Sequence, residues 1–467
     1  MSDLVVVSNR GPATFSVDAD GSLVARHAAG GLAPSLVSAL SGTGALWIAT
    51  AMSDGDRRVA VEGLPASLAG GIGLRLVDVG PEVRDLAYRV VANGTLWFLY
   101  HGLFDQVRQP RCDRSWHEAW AGYREFNRLI AEEVASSADE GATVVVNDYH
   151  LALLGSHLAG LRPDLSTVHF HHTPFCTPEE LRILPSAVVT ELVGSLAAFG
   201  ACGFHTRRWA ESFRRCVEAV ACEAPAVFVA PLGPDATELT RVVGSPGTVR
   251  KRAELLERLG GRALVLRSDR VELSKNLLRG FLAFGELLEE RPELRSRVVF
   301  IARTYASRED LPEYVAYRTE VEELVARLNE RFGSGRRPPV ELEVADDFEA
   351  SVAALCSYDV LLVNPLRDGM NLVAKEGPVV NDRHGVLALS REAGAFDELG
   401  SAALAVEPFD VSGTAAQLGR ALDMDPVERA RRSGELASVA AGRTPASWFA
   451  EVARAARRPR RGDGVGS

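Results

Sequence analysis

Five short strings in this chain set cations, carboxylates or backbone N–H donors where an apolar run gives way to a turn or helix. The longest is LRDGMNLVAKEG, residues 366–377, which follows the run DVLLVN. Asp368 sits in the turn, Gly369 allows close backbone approach, and Met370, Asn371 and Leu372 offer N–H groups at a helix start. Such a turn suits a diphosphate, and a carboxylate such as Glu376 on the helix suits ribose hydroxyls. The string RVELSKN, residues 270–276, carries Arg270 and Lys275 where a strand enters a helix. A planar guanidinium fork and a point charge can converge on a diphosphate, or remain a solvated pair on a loop.

The other strings are less specific. SNRGP (8–12) puts Arg10 just past an apolar run, and HAAGGLAPSL (27–36) opens a helix with Gly30 and Gly31. Backbone N–H groups at that helix start could meet phosphate oxygens, although an Arg in a surface ion pair and glycines in a plain turn fit the pattern more often. In NDYHLALL (147–154), Asp148 can accept a hydrogen bond from a sugar hydroxyl or cap the helix that follows. HFHHTPFCTPEELRILP (169–185) holds three histidines, but strand alternation sends His169 and His171 to one face and His172 to the other. No cysteine or acid nearby completes a metal set, so zinc is not expected. Neither GxGxxG nor GxxxxGK[ST] occurs at a strand–helix junction, which argues against a dinucleotide dehydrogenase and a P-loop NTPase.

These residues need a scaffold, and the apolar periodicity supplies one. Buried strands are expected at 4–9, 143–147, 166–171 and 226–231, and again at 263–270, 297–303 and 359–366. Between them lie helical stretches such as 177–197, 251–260, 276–290 and 314–333. Alternation of strand and helix implies parallel sheets covered on both faces, an α/β fold. The Gly- and Pro-rich stretch 231–247 reads as a boundary between two doubly wound, Rossmann-like domains facing a cleft. The division expected is an acceptor domain at 1–238, a nucleotide-sugar domain at 239–440, and a terminal helix with a frayed tail at 441–467.

Composition narrows the classes. The chain has 467 residues, enough for two to four domains, and a net charge of −10, which disfavours nucleic-acid binding. No apolar run reaches the length of a membrane span, and the N-terminus lacks the basic start of a signal peptide. Cys112, Cys176, Cys202, Cys216, Cys222 and Cys356 are scattered without CxxC spacing. They read as reduced packing residues of a cytoplasmic protein. The sequence leaves oligomeric state open, a homo-oligomer included.

In order and spacing, VVVSNR, GGL, the LW at 96–97, NDYHL, HTPFCTPE and PLRDGMNLVAKE resemble the trehalose-6-phosphate synthases, glycosyltransferase family 20 enzymes of GT-B fold. The resemblance covers residues 3 to about 455. It implies transfer of glucose from a nucleotide sugar to glucose 6-phosphate with retention, without metal or cofactor. It further implies that Arg10 binds the acceptor phosphate, with Tyr88, Trp97 and Asp148 lining that pocket and Gly31 near the junction with the donor. On the donor side His172 lies against the glucose, Arg270 and Lys275 hold the diphosphate, and Asp368 takes glucose hydroxyls. Gly369, Met370, Asn371 and Leu372 donate N–H bonds, and Glu376 holds the ribose. Arg308, or failing that Arg303, completes the acceptor phosphate clamp. The implied mechanism is front-face attack, with the leaving phosphate taking the acceptor proton, and the terminal helix returns to the first domain.

Departures from the family pattern are Glu272 for a common Asp, Asn276 for a common Gly, and Thr50 for a common Trp. The strand 297–303 ends in Arg303, and the run PVELEVADDF (339–348) ends near Asp346 and Asp347. Guanine offers O6 and N7 to an Arg fork and N–H groups to a carboxylate, so GDP-glucose is the expected donor and UDP-glucose the second. The alternative is that Arg303 pairs with one of those aspartates. Other readings are a glucosylglycerol-phosphate or cyclitol-coupling synthase, and a catalytically silent sugar-phosphate sensor.

Overall fold

The computed structural model describes residues 2–18, 20–27, 32–63, 72–334 and 337–457. The chain divides into two compact units, Met1–Pro231 together with Pro445–Ser467, and Leu232–Thr444. Each unit is built on its own parallel sheet.

In the first unit the strands are β1 (Ser2–Ser8), the hairpin β2 (Ala13–Val17) and β3 (Leu23–His27), β4 (Leu46–Thr50) and β5 (Gly73–Val77). They are followed by β6 (Ala138–Asn147), β7 (Ser166–His171), β8 (Ala201–Phe204) and β9 (Ala226–Val229). The seven-stranded sheet runs β5-β4-β1-β6-β7-β8-β9, all parallel. β1 and β6 form its centre, where Val5, Val6, Val7, Val144, Val145 and Val146 are fully buried. Unbroken β-branched runs are what a strand covered on both faces requires.

The second unit contributes β10 (Ala263–Arg270), β11 (Val298–Tyr305), β12 (Val340–Val344), β13 (Val360–Val363), β14 (Val386–Ser390) and β15 (Leu404–Val406). Their order, β12-β11-β10-β13-β14-β15, is again parallel throughout. It starts in the middle, grows to one edge and then returns to grow to the other, as in a Rossmann sheet. In both units the order therefore reverses between two central strands, β1 and β6 in one, β10 and β13 in the other. The crevice outside the carboxyl ends of such a pair is where open α/β sheets bind ligands.

Two expectations need correction. The helix expected over 177–197 is two helices, Pro178–Leu181 and Ser186–Ala197. Pro185, extended at φ −56° and ψ 138°, interrupts the amphipathic pattern. The boundary expected at 231–247 begins where the first unit ends, at Pro231, but the stretch is largely helical: Ala236–Val243 is a helix capped by Asp235, and Pro246–Leu259 is another capped by Ser245. Turn-forming residues there start helices.

The terminal helix Pro445–Ala456 belongs to the first unit, where fully buried Trp448 meets the Phe170 ring edge-on at 5.0 Å between centroids. Phe170 needs a small neighbour. Gly203 lies opposite it on β8, with Phe228 on the far side, and a methyl group there would sit 2.5 Å from both rings. Gly203→Ala is therefore expected to cost about 1–3 kcal/mol through overpacking, read as a lower melting temperature in calorimetry.

Candidate active site

In the first unit Arg10 follows β1 and Asp148 follows β6, on the two sides of the reversal. Arg10 is exposed, and its Nη2 donates to the Tyr88 hydroxyl at 3.0 Å. Tyr88 comes from a π-helical segment, Asp85–Leu96, and its ring stacks on His150 at 5.7 Å. Asp148 holds φ +70°, and its carboxylate does not cap the turn after it. Instead Oδ1 accepts the backbone N–H of His172 at 3.3 Å. Trp97 is buried, stacked on His101 at 3.8 Å and tilted against Tyr149. It backs the Tyr149 ring that precedes His150. Gly31 lies outside the described residues.

The histidines divide as strand alternation requires. His169 spends Nε2 on the Asp148 carbonyl at 3.1 Å, and burial pushes its pKa down to about 4. His171 meets the Thr173 hydroxyl at 2.8 Å. His172 turns the other way, with Nε2 3.0 Å from Asn147 Oδ1 and Nδ1 3.2 Å from His205 Nε2. Burial first, and then the neighbouring imidazoles, hold its pKa well below the ordinary histidine value. With both nitrogens engaged inside the protein, the ring is no general base. Asn147 and His205 went unrecognised in the sequence because three separate strands bring them to His172.

In the second unit β10 and its exit carry a dense charge network. Arg267, fully buried, donates Nε to Asp269 at 3.0 Å and Nη2 to the Lys275 carbonyl at 2.6 Å. The same guanidinium reaches Asn364 at the end of β13. Lys275 Nζ then donates to Asp368 Oδ2 at 2.6 Å, with Asp269 Oδ1 at 3.9 Å. Burial alone would lower the pKa of this amine; Asp368 and Asp269 outweigh it and hold the ammonium charged. Arg270 and Arg308 share one buried carboxylate: Arg270 Nη2 lies 3.0 Å from Glu272 Oε2, and Arg308 Nη1 lies 2.8 Å from Oε1. The Tyr314 hydroxyl also donates to Oε1, at 3.2 Å.

The turn after β13 closes the network. Asp368 accepts from the Asn371 side chain at 3.1 Å and from its own Met370 N–H at 3.4 Å, so that N–H is directed to a carboxylate within the turn. Asn371, at φ +81°, caps the helix Val373–Val380 through Oδ1 to Ala374 N at 3.1 Å. Gly369 meets Gly394, where a methyl group would lie 2.0 Å from the Gly369 carbonyl. Leu372 accepts the N–H of Glu376 at 2.8 Å. Burial pushes the Glu376 carboxyl up to about 7.

Asn276 explains its own departure from glycine. It takes φ +60°, a conformation open to Gly and tolerated by Asn, and its amide bonds the Asn364 and Pro408 carbonyls. Among the described residues six non-glycine positions have positive φ, and four of them, Asp148, Asn276, Arg308 and Asn371, belong to this set or adjoin it. Strain of this kind collects at ligand sites.

The guanine expectation does not survive the register. Arg303 on β11 lies opposite Glu343 on β12 and forms an ion pair with it. Asp347 is held by Lys251 at 2.7 Å and caps the helix Phe348–Leu355, while Asp346 is exposed past the end of β12. Arg303 thus pairs with Glu343 and Asp347 with Lys251, and the partner of Arg303 is neither aspartate.

The sequence matches glycosyltransferase family 20 over residues 2–458. The chain belongs to this family. An alpha,alpha-trehalose-phosphate synthase [UDP-forming] 1 of Arabidopsis thaliana is 34% identical over 449 residues, covering 92% of this chain and 47% of its own length. The chain thus spans about half of that plant relative. A trehalose-6-phosphate synthase of Mycobacterium sp. (strain JLS) is 34% identical across 92% of this chain and 91% of its own. Among solved structures, a UDP-forming alpha,alpha-trehalose-phosphate synthase from Burkholderia xenovorans in complex with glucose-6-phosphate superposes with a TM-score of 0.85. It is 27% identical, over 97% of this chain and all of that one. The two Rossmann-like sheets are accordingly those of a family 20, GT-B-type enzyme.

Within this family 20 member, Arg267 is the buried cation on which the second unit's site rests. Arg267→Met takes from buried Asp269 its nearest cation, leaving only Lys275 at 3.9 Å, and is expected to destabilise the protein by about 3–5 kcal/mol. Urea unfolding followed by circular dichroism measures the shift in midpoint.

Proposed function

We propose that this chain transfers glucose from UDP-glucose to glucose 6-phosphate with retention, forming α,α-trehalose 6-phosphate. The observation that carries this reading is the meeting of Arg270, Lys275 and the turn Asp368–Leu372 at the carboxyl ends of β10 and β13, the strand pair flanking the reversal of the second sheet. Family membership and the UDP-forming relatives support the donor, and the Burkholderia xenovorans complex supports the acceptor. The commitment of Arg303 to Glu343 removes the argument for a guanine base. Two phosphorylated metabolites as substrates suit a cytoplasmic reaction.

In this reading the second unit takes the donor. Arg270 and Lys275 meet the diphosphate, Asp368 takes glucose hydroxyls, and Glu376 takes the ribose. The N–H groups of Gly369, Asn371 and Leu372 are the donors assigned to the same anion, with Met370 holding the turn through Asp368. In the first unit Arg10 and Tyr88 take the 6-phosphate, with Trp97 behind and Asp148 on the sugar; in the second unit Arg308 is a further phosphate-directed cation. His172 lies against the donor glucose. The C1–O bond to the diphosphate breaks as the acceptor O1 bonds C1 on the same face. The acceptor proton passes to a phosphate oxygen of the departing UDP. Charge grows on that diphosphate in the transition state, so fixed cations aimed at it supply most of the acceleration.

Initial rates with UDP-glucose and GDP-glucose at equal concentration, each against glucose 6-phosphate, test the assignment. Faster turnover with GDP-glucose, or no disaccharide phosphate from either, overturns it. With the preferred donor, Arg270→Ala should lower kcat by about 10²–10³-fold while the melting temperature stays within a few degrees.

Glu376 yields a second test. Its carboxyl rises from 4.5 unfolded to about 7 folded, so folding favours the protonated form. That stabilisation is full below pH 4.5 and disappears as pH rises through 7. Glu376→Gln should therefore melt with the parent near pH 4.5 and above it at pH 8, yet bind UDP more weakly. Thermal unfolding across that range and calorimetric titration with UDP measure both.

A further inference from the structure

Four adjacent strands of the first sheet are joined at their carboxyl ends by one chain of hydrogen bonds. Asn147, fully buried at the end of β6, donates Nδ2 to the Val7 carbonyl of β1 at 3.2 Å. That bond fixes which way the amide points, so Oδ1 faces His172 beyond β7. An amide oxygen only accepts, and the His172 Nε2 at 3.0 Å must therefore carry the proton. The remaining nitrogen, Nδ1, is then an acceptor in the neutral ring. Its partner at 3.2 Å is Nε2 of His205, which must donate. His205 is buried in the turn between β8 and the helix Arg207–Ala219. The Phe170 ring packs on both imidazoles, 4.8 Å from His172 and 5.0 Å from His205, and Trp448 closes on His172 at 5.6 Å. The main-chain N–H of His172 is tied separately to Asp148 Oδ1.

We propose that His205 is a positioning residue for the transfer: its Nε2–H, with Asn147, locks His172 in the Nε2–H tautomer and in one ring plane. The proposal rests on the reading that His172 lies against the donor glucose. Because both nitrogens are engaged inside the protein, His172 offers a sugar only ring carbons and main chain. A ring free to flip or tilt would present different atoms to the same hydroxyls. The locked tautomer makes the contact single-valued, as transition-state positioning demands.

The test uses the full chain with ¹⁵N-histidine and long-range N–H correlations, which read each ring's tautomer. The loss of one ring in His172→Gln assigns the signal. His205→Leu removes the donor, and His205→Gln keeps an amide N–H in reach. In the parent, His172 should be neutral with its proton on Nε2 at pH 7. In His205→Leu the Nε2–H tautomer set by Asn147 should persist, but the Nδ1 signal should move to that of an unbonded acceptor nitrogen, and kcat should fall about ten- to hundredfold with KM values within about twofold. His205→Gln should restore the parent Nδ1 signal and most of the turnover. A parent ring protonated on Nδ1 overturns the proposal, and needs no variant to fold. So does a folded His205→Leu with Nδ1 signal and turnover unchanged, or a His205→Gln as slow as His205→Leu. A changed Nδ1 signal with full turnover upholds the hydrogen-bond chain but removes His172 from the reaction, overturning the site reading and the positioning role with it.

Discussion

The buried guanidinium of Arg267 is the interaction on which the second unit's chemistry depends. It lies mid-strand in β10 with no solvent exposure, and it binds Asp269, the Lys275 carbonyl and Asn364 together. A charge in that position is tolerable only if every donor finds an acceptor. Satisfying it draws the exit of β10 and the end of β13 onto one group. Room for it comes from Gly280, where a methyl group would sit 2.8 Å from Arg267 Nη1. Lys275 is thereby delivered to Asp368 as a consequence of packing, with no ligand needed to recruit it.

Topology sets the second constraint. Each sheet reverses its order once, and each reversal separates two adjacent helical crossovers, leaving backbone ends uncovered. Arg10 and Asp148 fall at one reversal, and Arg270, Lys275 and Asp368 at the other. Chains must turn sharply to leave those strand ends, and Asp148, Asn276 and Asn371 take positive φ there, as Arg308 does beyond β11. Three of the four are Asp or Asn, residues whose short polar side chains make such a conformation affordable.

How much of this was legible follows from the range of the interactions involved. The strand at 263–270 was read with its exact bounds, its apolar start Ala263–Leu266 being a local signal. The phosphate-directed residues were legible as short strings at strand ends. What escaped were groups defined by distant partners. Arg267 contacts Asn364, 97 positions away, and Asn147 contacts Val7, 140 positions away. Arg303 shows the converse error: the strand was read as ending there, but β11 runs on to Tyr305 and its register puts Glu343 beside Arg303, and a residue type alone cannot reveal which face its neighbour will occupy. Pro185 was visible and underweighted, since the amphipathic pattern ran on through it.

The two units differ in how they handle charge, and that difference bears on the proposed chemistry. Around His172 the first unit sets a second imidazole and an amide, with both His172 nitrogens spoken for and the Asp148 carboxylate on its main-chain N–H. The His172 ring can shape a sugar pocket but is no base there. Around β10 the second unit holds Arg267, Arg270, Lys275 and Arg308 against Asp269, Glu272 and Asp368. Four cations face three carboxylates, so the cluster retains one positive charge while each cation is already oriented. Bringing in a diphosphate then completes a preset array, with little reorganisation as charge builds on the leaving oxygens. A cluster with no carboxylates would attract the anion more strongly in the ground state, but its cations would repel and spread before the ligand arrived. Glu272, shared by Arg270 and Arg308, sets their separation beforehand, and fixed separation is what lets the same charges act more strongly on the transition state than on the bound donor.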